Sequence, residues 1–473
     1  MSTFGALGTA WRGLSAAQQA MDLAGHNVAN AGTDGYTRQR IEQSSVGAPA
    51  PMGLGVTGPQ VGQGVSVDRI ARLGDALLDA TVRGTASSAG YNAKRAAAYD
   101  GIEATLREPG SDGLSARLQA FWSAWHDVAN RPGDTGAAGA LLSAAGTVVS
   151  TLSSGRAALE TQWDDTAADA RGMVASLNDT AAQVAALNTQ IRGALARGSS
   201  ANELIDTRAR LTQSISAASG ATVRDEADGT VTVYLGGNAL VRGETARQVT
   251  LTGAATMAGA AASPVRLEWA DQPGHEVGLE GGSVAGALSV LAPAAGGAGG
   301  AIAEAAASYD AVAQTLAATV NAVHRAGSTT SGATGLDFFR LDPSQPAARG
   351  LSVVPTGAAG IATGAVGAGA LDGSTADAIA RLATGPGSAD ARWAGFVTST
   401  GSAARAVTQQ SGIADAAAAG ARQAQLSGAS VSLDEESVNL VAAQHAYQAA
   451  ARVLTAVDEA LDTLINRTGM VGR

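Results

Sequence analysis

Apolar positions repeat by sevens at both ends of this chain. Near the start, Leu7, Leu14, Met21 and Val28 form one row, with Phe4 and Trp11 in the alternate positions and Gln18 and Gly25 interrupting them. Near the end, Leu433, Leu440, Tyr447, Leu454 and Leu461 do the same beside a weaker row of Ser437, Gln444, Ala451, Asp458 and Ile465. A heptad period sustained this way predicts helices that pair as a coiled coil. Two amphipathic helices lying on a globular core are the plainer alternative. Placement favours the coiled coil, because tracts at the two extreme ends can pair and still offer an outer face to other copies.

Between the ends, helical periodicity runs from Asp75 to Arg107, Gly113 to Asn130, Gly136 to about Arg197, Ala201 to Ala218, Ala301 to Arg325 and Ala389 to Asn466. The longest tract carries a stripe of Met173, Leu177, Val184, Leu187, Ile191 and Leu195. Asp34-Gly35 marks a turn, Gly47 to Gly64 reads as a long loop, and Val65 and Val67 alternate as a short strand. After Asp228-Gly229, a hairpin signal, the period switches to two at Val231, Val233 and Leu235. Strand-like pieces follow at 249–251, 265–269 and 277–279, and Gly350 to Gly373 reads as loop or short strands. The expected fold is mainly α with a β-rich insert, elongated and multidomain. Residues 1–32 and 431–473 would form the terminal coiled coil, 33–220 and 292–430 a largely helical body, and 221–291 an outward β-rich insert.

Composition changes this picture in three ways. With 473 residues and 45% hydrophobic positions a folded core is expected, yet aromatics are 4% and Gly numbers 61. Much of the apolar count is Ala, which suits closely packed helices rather than a dense aromatic core. The formal charge of -10 and the lack of a basic stripe argue against nucleic acid. Lys94 is the only lysine and there is no cysteine, which excludes a P-loop lysine, disulfides, Cys-ligated zinc, iron–sulfur clusters and Cys nucleophiles. The uncharged stretches 283–303 and 350–371 are broken by Gly and by Pro293 and Pro355, so neither is expected to span a membrane. The first residues lack a basic leader before an apolar block, so no cleaved signal peptide is expected.

Candidate chemistry is thin. Gly53-Leu54-Gly55-Val56-Thr57-Gly58 matches a dinucleotide pattern but has no preceding strand and is followed by Pro59. His26, His126, His275, His324 and His445 are scattered, without a zincin spacing. Asp434, Glu435 and Glu436 follow Ser432 at a helix start, where negative charge complements the helix dipole and caps free N–H groups. Asn27 and Asn30 lie three residues apart at the end of the first helix and are read as an interface element, with local capping as the alternative. No catalytic, cofactor-binding or metal-binding residue is expected.

Two segments then carry a resemblance. Gly25-His26-Asn27-Val28-Ala29-Asn30 followed by Gly35-Tyr36-Thr37-Arg38-Gln39 resembles the N-terminal signature of the flagellar axial proteins, the rod, hook and hook-associated family. Ser432-Leu433-Asp434-Glu435-Glu436, Asn439-Leu440, Gln444, Ala446-Tyr447-Gln448-Ala449 and Ala451-Arg452-Val453 resemble the family's other end. Residues 61–83, Ala186 to Ile191, Ala201 to Arg208, Asp337-Phe338-Phe339 and Leu464 to Arg467 are similar to the hook-associated branch; Gly350 to Gly387 does not align. The resemblance implies a non-enzymatic structural subunit at the junction of hook and filament, without cofactor and without membrane insertion. It implies export through the flagellar type III pathway, with an export chaperone and the export apparatus as partners. It also implies self-association in a helical ring, hook protein on one side and hook-associated protein 3 on the filament side. A hook or distal-rod subunit is the alternative, and a cell-wall-acting enzyme the rival class.

Overall fold

The computed structural model describes residues 3–48, 61–463 and 465; the Phe4 side chain, Gly53–Gly58, most of the 47–64 loop, Leu464 and Asn466-Arg467 lie outside the described residues. Helix α1 (Thr3–Ala29) leads into an antiparallel pair, β1 (Gln39–Ser45) and β2 (Val65–Arg72). Four helices follow: α2 (Ala76–Leu106), α3 (Leu114–Asn130), α4 (Thr135–Ala196) and α5 (Asn202–Ser219). Next come β3 (Thr222–Asp225), β4 (Val231–Leu235), β5 (Asn238–Arg242) and β6 (Thr245–Ala246), a four-stranded meander. A three-stranded sheet of β7 (Val249–Thr252), β8 (Arg266–Trp269) and β9 (Gln272–Glu276) completes the insert. The chain returns through α6 (Gly282–Leu291), α7 (Ala301–Ala326), β10 (Gly327–Thr329), β11 (Phe339–Leu341), α8 (Ala347–Gly350), β12 (Leu351–Val353), β13 (Ala362–Ala365) and α9 (Ser374–Ala380). It ends in α10 (Ala389–Ala429) and α11 (Leu433–Asp462). Side-chain caps fix the long helices: Asp75, Asp134, Ser388 and Ser432 each accept a backbone N–H of the first turn that follows.

The spine is α4. Its 62 residues span about 93 Å at ~1.5 Å per residue. One buried stripe runs its whole length, from Leu141, Val148, Leu152, Leu159 and Trp163 to Val174, Leu177, Val184 and Ile191. The first half packs in a core with Phe121 and Trp125 of α3, Tyr309 and Leu316 of α7, Phe338, Phe339 and Trp393. The second half packs against Val233, Leu235, Leu240, Val241, Leu267 and Trp269 of the two insert sheets. This helix is long and apolar enough to cross a membrane by length and composition, and a third of its most apolar window is buried inside the protein.

Three expectations need correction, and one strand is not expected from sequence at all. The core does hold dense aromatic clusters despite the low aromatic content: Phe121, Trp122, Trp125, Phe338 and Phe339 form one, and Tyr309, Trp393 and Phe396 a second. Residues 277–279 are not a strand; pairing ends at Glu276, and Val277 keeps a single bond to the Leu267 carbonyl. The last ten residues of the 221–291 segment are helix α6, packed on α2 and α5. The polar run from Gln39 to Ser45 is a strand because β2 lies beside it, not because of its own alternation.

Asparagines at helix–strand contacts, Asn188 and Asn321 buried and Asn178 half-buried, join helices to strands by one repeated device. Asn178 of α4 accepts from Val249 N–H (2.9 Å) and donates to its carbonyl (2.8 Å). Asn188 does the same to Val231 (3.0 and 2.9 Å), and Asn321 of α7 to Phe339 (2.9 and 2.7 Å). A carboxamide has the donor–acceptor layout of a peptide group, so it stands in for a missing strand neighbour. Asn188 also accepts from Arg208 and donates to the Gly243 carbonyl. Asn188→Leu, nearly isosteric, should therefore destabilise the protein by about 2–4 kcal/mol in urea unfolding, since buried unpaired groups cost ~1–3 kcal/mol each. A loss below about 1 kcal/mol would mean that water replaces the amide.

His324 closes a comparable gap. It is buried against Trp125 and Phe338, its Nδ1–H donates to the Leu336 carbonyl (2.7 Å), and Nε2 accepts from Ala362 N–H (2.9 Å). Burial holds its pKa below the ordinary 6.5, against the opposite pull of the Leu336 carbonyl and Asp337. The unfolded chain thus takes a proton that the folded ring refuses. The contribution is whole above the unfolded pKa of about 6.5 and drains as pH falls below it. Melting temperature followed downward from about pH 7.5 should fall more steeply in the parent than in His324→Gln; parallel slopes would remove His324 as the source.

Candidate assembly site at the base of the terminal helices

Helices α1 and α11 lie antiparallel, with Asn27 beside Glu436 at one end and Gly13 beside Ala450 further along. In α1 the inward positions are Ala10, Gly13, Ala16, Ala17, Ala20, Leu23, Ala24 and Asn27. In α11 they are Glu436, Leu440, Ala443, Tyr447, Ala450, Leu454, Val457 and Leu461. Leu440, Tyr447, Leu454 and Leu461 are thus half-buried where their row was expected, while the companion row sits one residue before Ser437, Gln444, Ala451 and Asp458. On α1 the inward face is rotated mostly onto small residues, with Leu23 the one large side chain buried there. Leu7, Leu14 and Met21 are half-buried at its flank, Trp11 is 62% exposed, and Val28 and Leu433 also face outward. Small side chains let two helices approach closely, so the larger ones are displaced to the flanks. A cavity of about 590 Å³ remains where the two helices meet β1 and β2.

Three segments distant in sequence converge at the base of this pair. Asn27 is buried, donates to the Gln39 carbonyl (2.9 Å) and Glu436 Oε2 (3.1 Å), and accepts from Gln39 N–H (3.1 Å) and Tyr36 Oη (2.7 Å). Arg38 donates to Glu436 Oε1 (2.7 Å) and Glu435 Oε2 (2.5 Å), and its backbone N–H bonds the last carbonyl of α10, Ala429 (2.8 Å). Gln39 reaches Glu203 Oε1 (3.0 Å) and accepts from Asn202 Nδ2 (2.9 Å). Asp206 accepts from Thr37 N–H (3.0 Å) and pairs with Arg72. His26 Nε2 lies 3.3 Å from Glu203. Gly35, at φ +75, makes the turn that starts this run, and a Cβ there would strike Arg210.

The electrostatics follow from this enclosure. Burial, with the charges of Glu203, Asp206 and Glu436, pushes the Tyr36 phenol up to about 12, so it remains a donor. Burial opposes the Arg38 charge, but the bonds and charges of Glu435 and Glu436 outweigh it and hold its pKa above the ordinary value. Glu203 is held below the usual carboxylate range: burial works the other way, and the Gln39 bond and His26 overcome it.

Two readings made from sequence change here. Asn27 spends its whole hydrogen-bonding capacity inside the chain and is not turned toward a neighbour. Asn30 caps locally, donating to the His26 carbonyl (3.0 Å) and accepting from Thr33 Oγ1 (3.3 Å). The helix cap comes from Ser432, which accepts from Glu435 N–H, whereas Glu436 of the acidic triplet is only 2% exposed and is the anion at the centre of the network. Sequence reasoning missed Tyr36, Arg38, Gln39, Arg72, Asn202, Glu203 and Asp206 as site residues. The available signal was that 25–39, 201–208 and 432–436 had each been singled out separately.

Comparison with known proteins bears on this site and its surroundings. The family model for the flagellar hook-associated protein FlgK helical domain matches residues 99–339. The models for the flagella basal body rod protein and the flagellar basal body rod FlgEFG protein C-terminal match residues 7–37 and 422–467, which carry α1 and α11. The chain is 30% identical to flagellar hook-associated protein 1 of Bacillus subtilis over the whole of both chains. It is 30% identical to the Salmonella typhimurium protein of that name over 51% of this chain and 43% of that one. A solved structure, described as the flagellar hook junction protein FlgK from Burkholderia pseudomallei, superposes with a TM-score of 0.63 at 16% identity. It covers 76% of this chain and 100% of its own, which shows a shared fold. The relatives bear the names of structural flagellar proteins rather than of enzymes.

Glu436→Ala should separate the site from the body. It strips Arg38 of its buried partner and Asn27 of an acceptor; Arg38 keeps Glu435, so the expected local cost is about 2–4 kcal/mol, below that of a fully buried broken pair. Hydrogen exchange should quicken in 22–29 and 433–443 while the α4 core keeps its protection. Unchanged exchange at both ends would show that the helices are held by their apolar faces alone.

Proposed function

The chain belongs to the flagellar hook-associated protein 1 family, and from that premise we propose how a structural subunit at the junction between hook and filament is built here. Its location is the bacterial flagellum. We infer that α1 and α11 pair as a coiled coil whose outer faces meet other copies in a helical ring. The observation that carries this reading is the apolar surface a single copy leaves open on that pair: Trp11 at 62% exposure and Val438 at 69%, with Val28, Leu433, Val441 and Val453 also exposed. Leu7, Leu14, Met21, Leu440, Tyr447, Leu454 and Leu461, at the flanks and along the pair, would complete the contact. Exposed apolar side chains gathered on the two terminal helices are what an unformed subunit contact looks like.

Hook protein on one side, hook-associated protein 3 on the filament side, and an export chaperone with the type III export apparatus are the partners this reading assigns. The role is mechanical and involves no reaction. The rod-type matches at the two ends fit a shared mode of end-to-end packing, and the hook-associated match across 99–339 sets this chain apart from a hook or distal-rod subunit.

A Trp11→Ser, Val438→Ser pair tests the assignment, because both side chains are already in water in the monomer. Its melting temperature should stay within about 1–2 °C of the parent, surface substitutions being worth roughly ±0.5 kcal/mol. Electron microscopy of cells carrying only this variant should show hooks without filaments. Normal filaments would defeat the outer-face reading, and missing hooks would favour the hook-subunit alternative.

A further inference from the structure

A small cavity of about 140 Å³ adjoins the base network through Arg72 and lies between the end of β2, the start of α2, the first half of α5 and strands β3 and β4. Three arginines line it, Arg72 from β2, Arg83 from α2 and Arg208 from α5. Arg208 is only 5% exposed, yet its partners are neutral: Nη1 donates to Asn188 Oδ1 (2.9 Å) and to the Gly229 carbonyl (2.7 Å). Its Nε and Nη2 bond nothing among the described residues. Arg83 is half-buried and makes neither a hydrogen bond nor an ion pair among the described residues. The nearby carboxylates are committed elsewhere. Asp206 takes Arg72 and Thr37 N–H, and Asp79 takes Gln425 Nε2 (2.6 Å) and lies 3.9 Å from Arg72. Asp225, on the rim, is exposed and pairs with neither arginine. Burial lowers the pKa of both Arg83 and Arg208, against the pull of Asp79 and Asp225 on the first and of Asp225 and Asp228 on the second; the charge of Arg72 adds to the lowering at Arg208.

A buried cation without a counter-charge is costly to keep, and here two of them line one cavity. We propose that this cavity binds a free tetrahedral oxyanion of the phosphate class, held by Arg83 and Arg208, with Arg72 adding positive charge at its edge. A guanidinium offers paired N–H donors in a plane, which suits an anion with several oxygens. Size sets the other limit. At ~30 Å³ per water in the liquid, the space takes a few waters or one five-atom oxyanion, not a nucleotide or a peptide. A carboxylate presents two oxygens where a phosphate presents four, so it can satisfy one guanidinium but not two from different helices. The bound anion would tie β2, α2 and α5 together beside Asp206, whose bond to Thr37 N–H supports the base of the terminal helices.

Isothermal titration of the full chain with inorganic phosphate, and with acetate as the carboxylate probe, tests this at constant ionic strength. Phosphate should bind with a dissociation constant below about 1 mM and raise the melting temperature, and acetate should bind at least about tenfold more weakly. Arg83→Gln breaks no hydrogen bond or ion pair among the described residues, so without phosphate its melting temperature should hold or rise. Its phosphate affinity should fall about tenfold, the size of one charge-assisted bond. Arg349→Gln removes an exposed arginine on α8 and should bind phosphate as the parent does. Undetectable phosphate binding would mean that water alone fills the cavity. Unchanged affinity in Arg83→Gln, acetate binding as tightly, or an equal loss in Arg349→Gln would each overturn the proposal as well.

Discussion

A short strand laid against a long helix presents backbone N–H and C=O groups that no neighbouring strand can take, and burying them unpaired is expensive. This fold answers that constraint four times with the same group. Asn27, Asn178, Asn188 and Asn321 each accept from and donate to the backbone of a single residue, respectively Gln39, Val249, Val231 and Phe339. Two of them hang the insert sheets on α4, one fixes the Phe338–Phe339 turn on α7, and one fastens α1 to β1. Apolar burial along α4 supplies the bulk of the stabilisation, but it is non-directional. The amides supply register, because a strand slipped by one residue would present the wrong groups.

The Asn27 position differs from the other three in reaching a charge. Its second donor bond goes to Glu436, whose carboxylate also holds Arg38, and Arg38 in turn bonds the last turn of α10. One buried anion thus connects the end of α1, the start of α11, the first strand and the helix that carries the chain back. Force or disorder applied at the terminal helices passes into the body through this point. A subunit that sits between two different polymers needs such a connection, since a hinge there would let the ends assemble without positioning the body.

Much of the helical layout was readable from period and caps: the predicted helices at 75–107, 113–130 and 301–325 coincide with α2, α3 and α7 to within a residue or two. Asp228-Gly229 likewise marked the β3–β4 turn. The site was not readable in the same way. Heptad counting favours the largest apolar residues, and on α1 that selected Trp11 and Val28, which face water, over Ala17 and Ala24, which do not. Glu436 followed the rule for a helix start so well that its burial was hidden, and nothing local in 432–436 betrays a partner nearly 400 residues earlier. β1 carried no alternation because its strand state is imposed by β2 and Asn27. Interactions of this kind are properties of pairs of segments, and a single sequence displays the segments separately.

The rotated seam bears on why the ends would complete themselves only in company. Ala10, Gly13, Ala17, Ala20 and Ala24 bury little apolar area each, so within one subunit the α1 side of the pair relies on Leu23, against Leu440, Tyr447, Leu454 and Leu461 of α11 that are only half-buried. The side chains with more to contribute, among them Trp11, Val28, Leu433, Val438 and Val453, are on the outside. At ~25 cal/mol per Å², each would gain more from a neighbour than an inward alanine gains from its partner helix. A monomer arranged in the reverse way would have a stable, polar-surfaced hairpin and no reason to polymerise. On the proposed reading, a seam built mostly of small residues on the α1 side leaves further apolar stabilisation to be gained between copies, while the Asn27–Glu436 connection aligns the pair with the body.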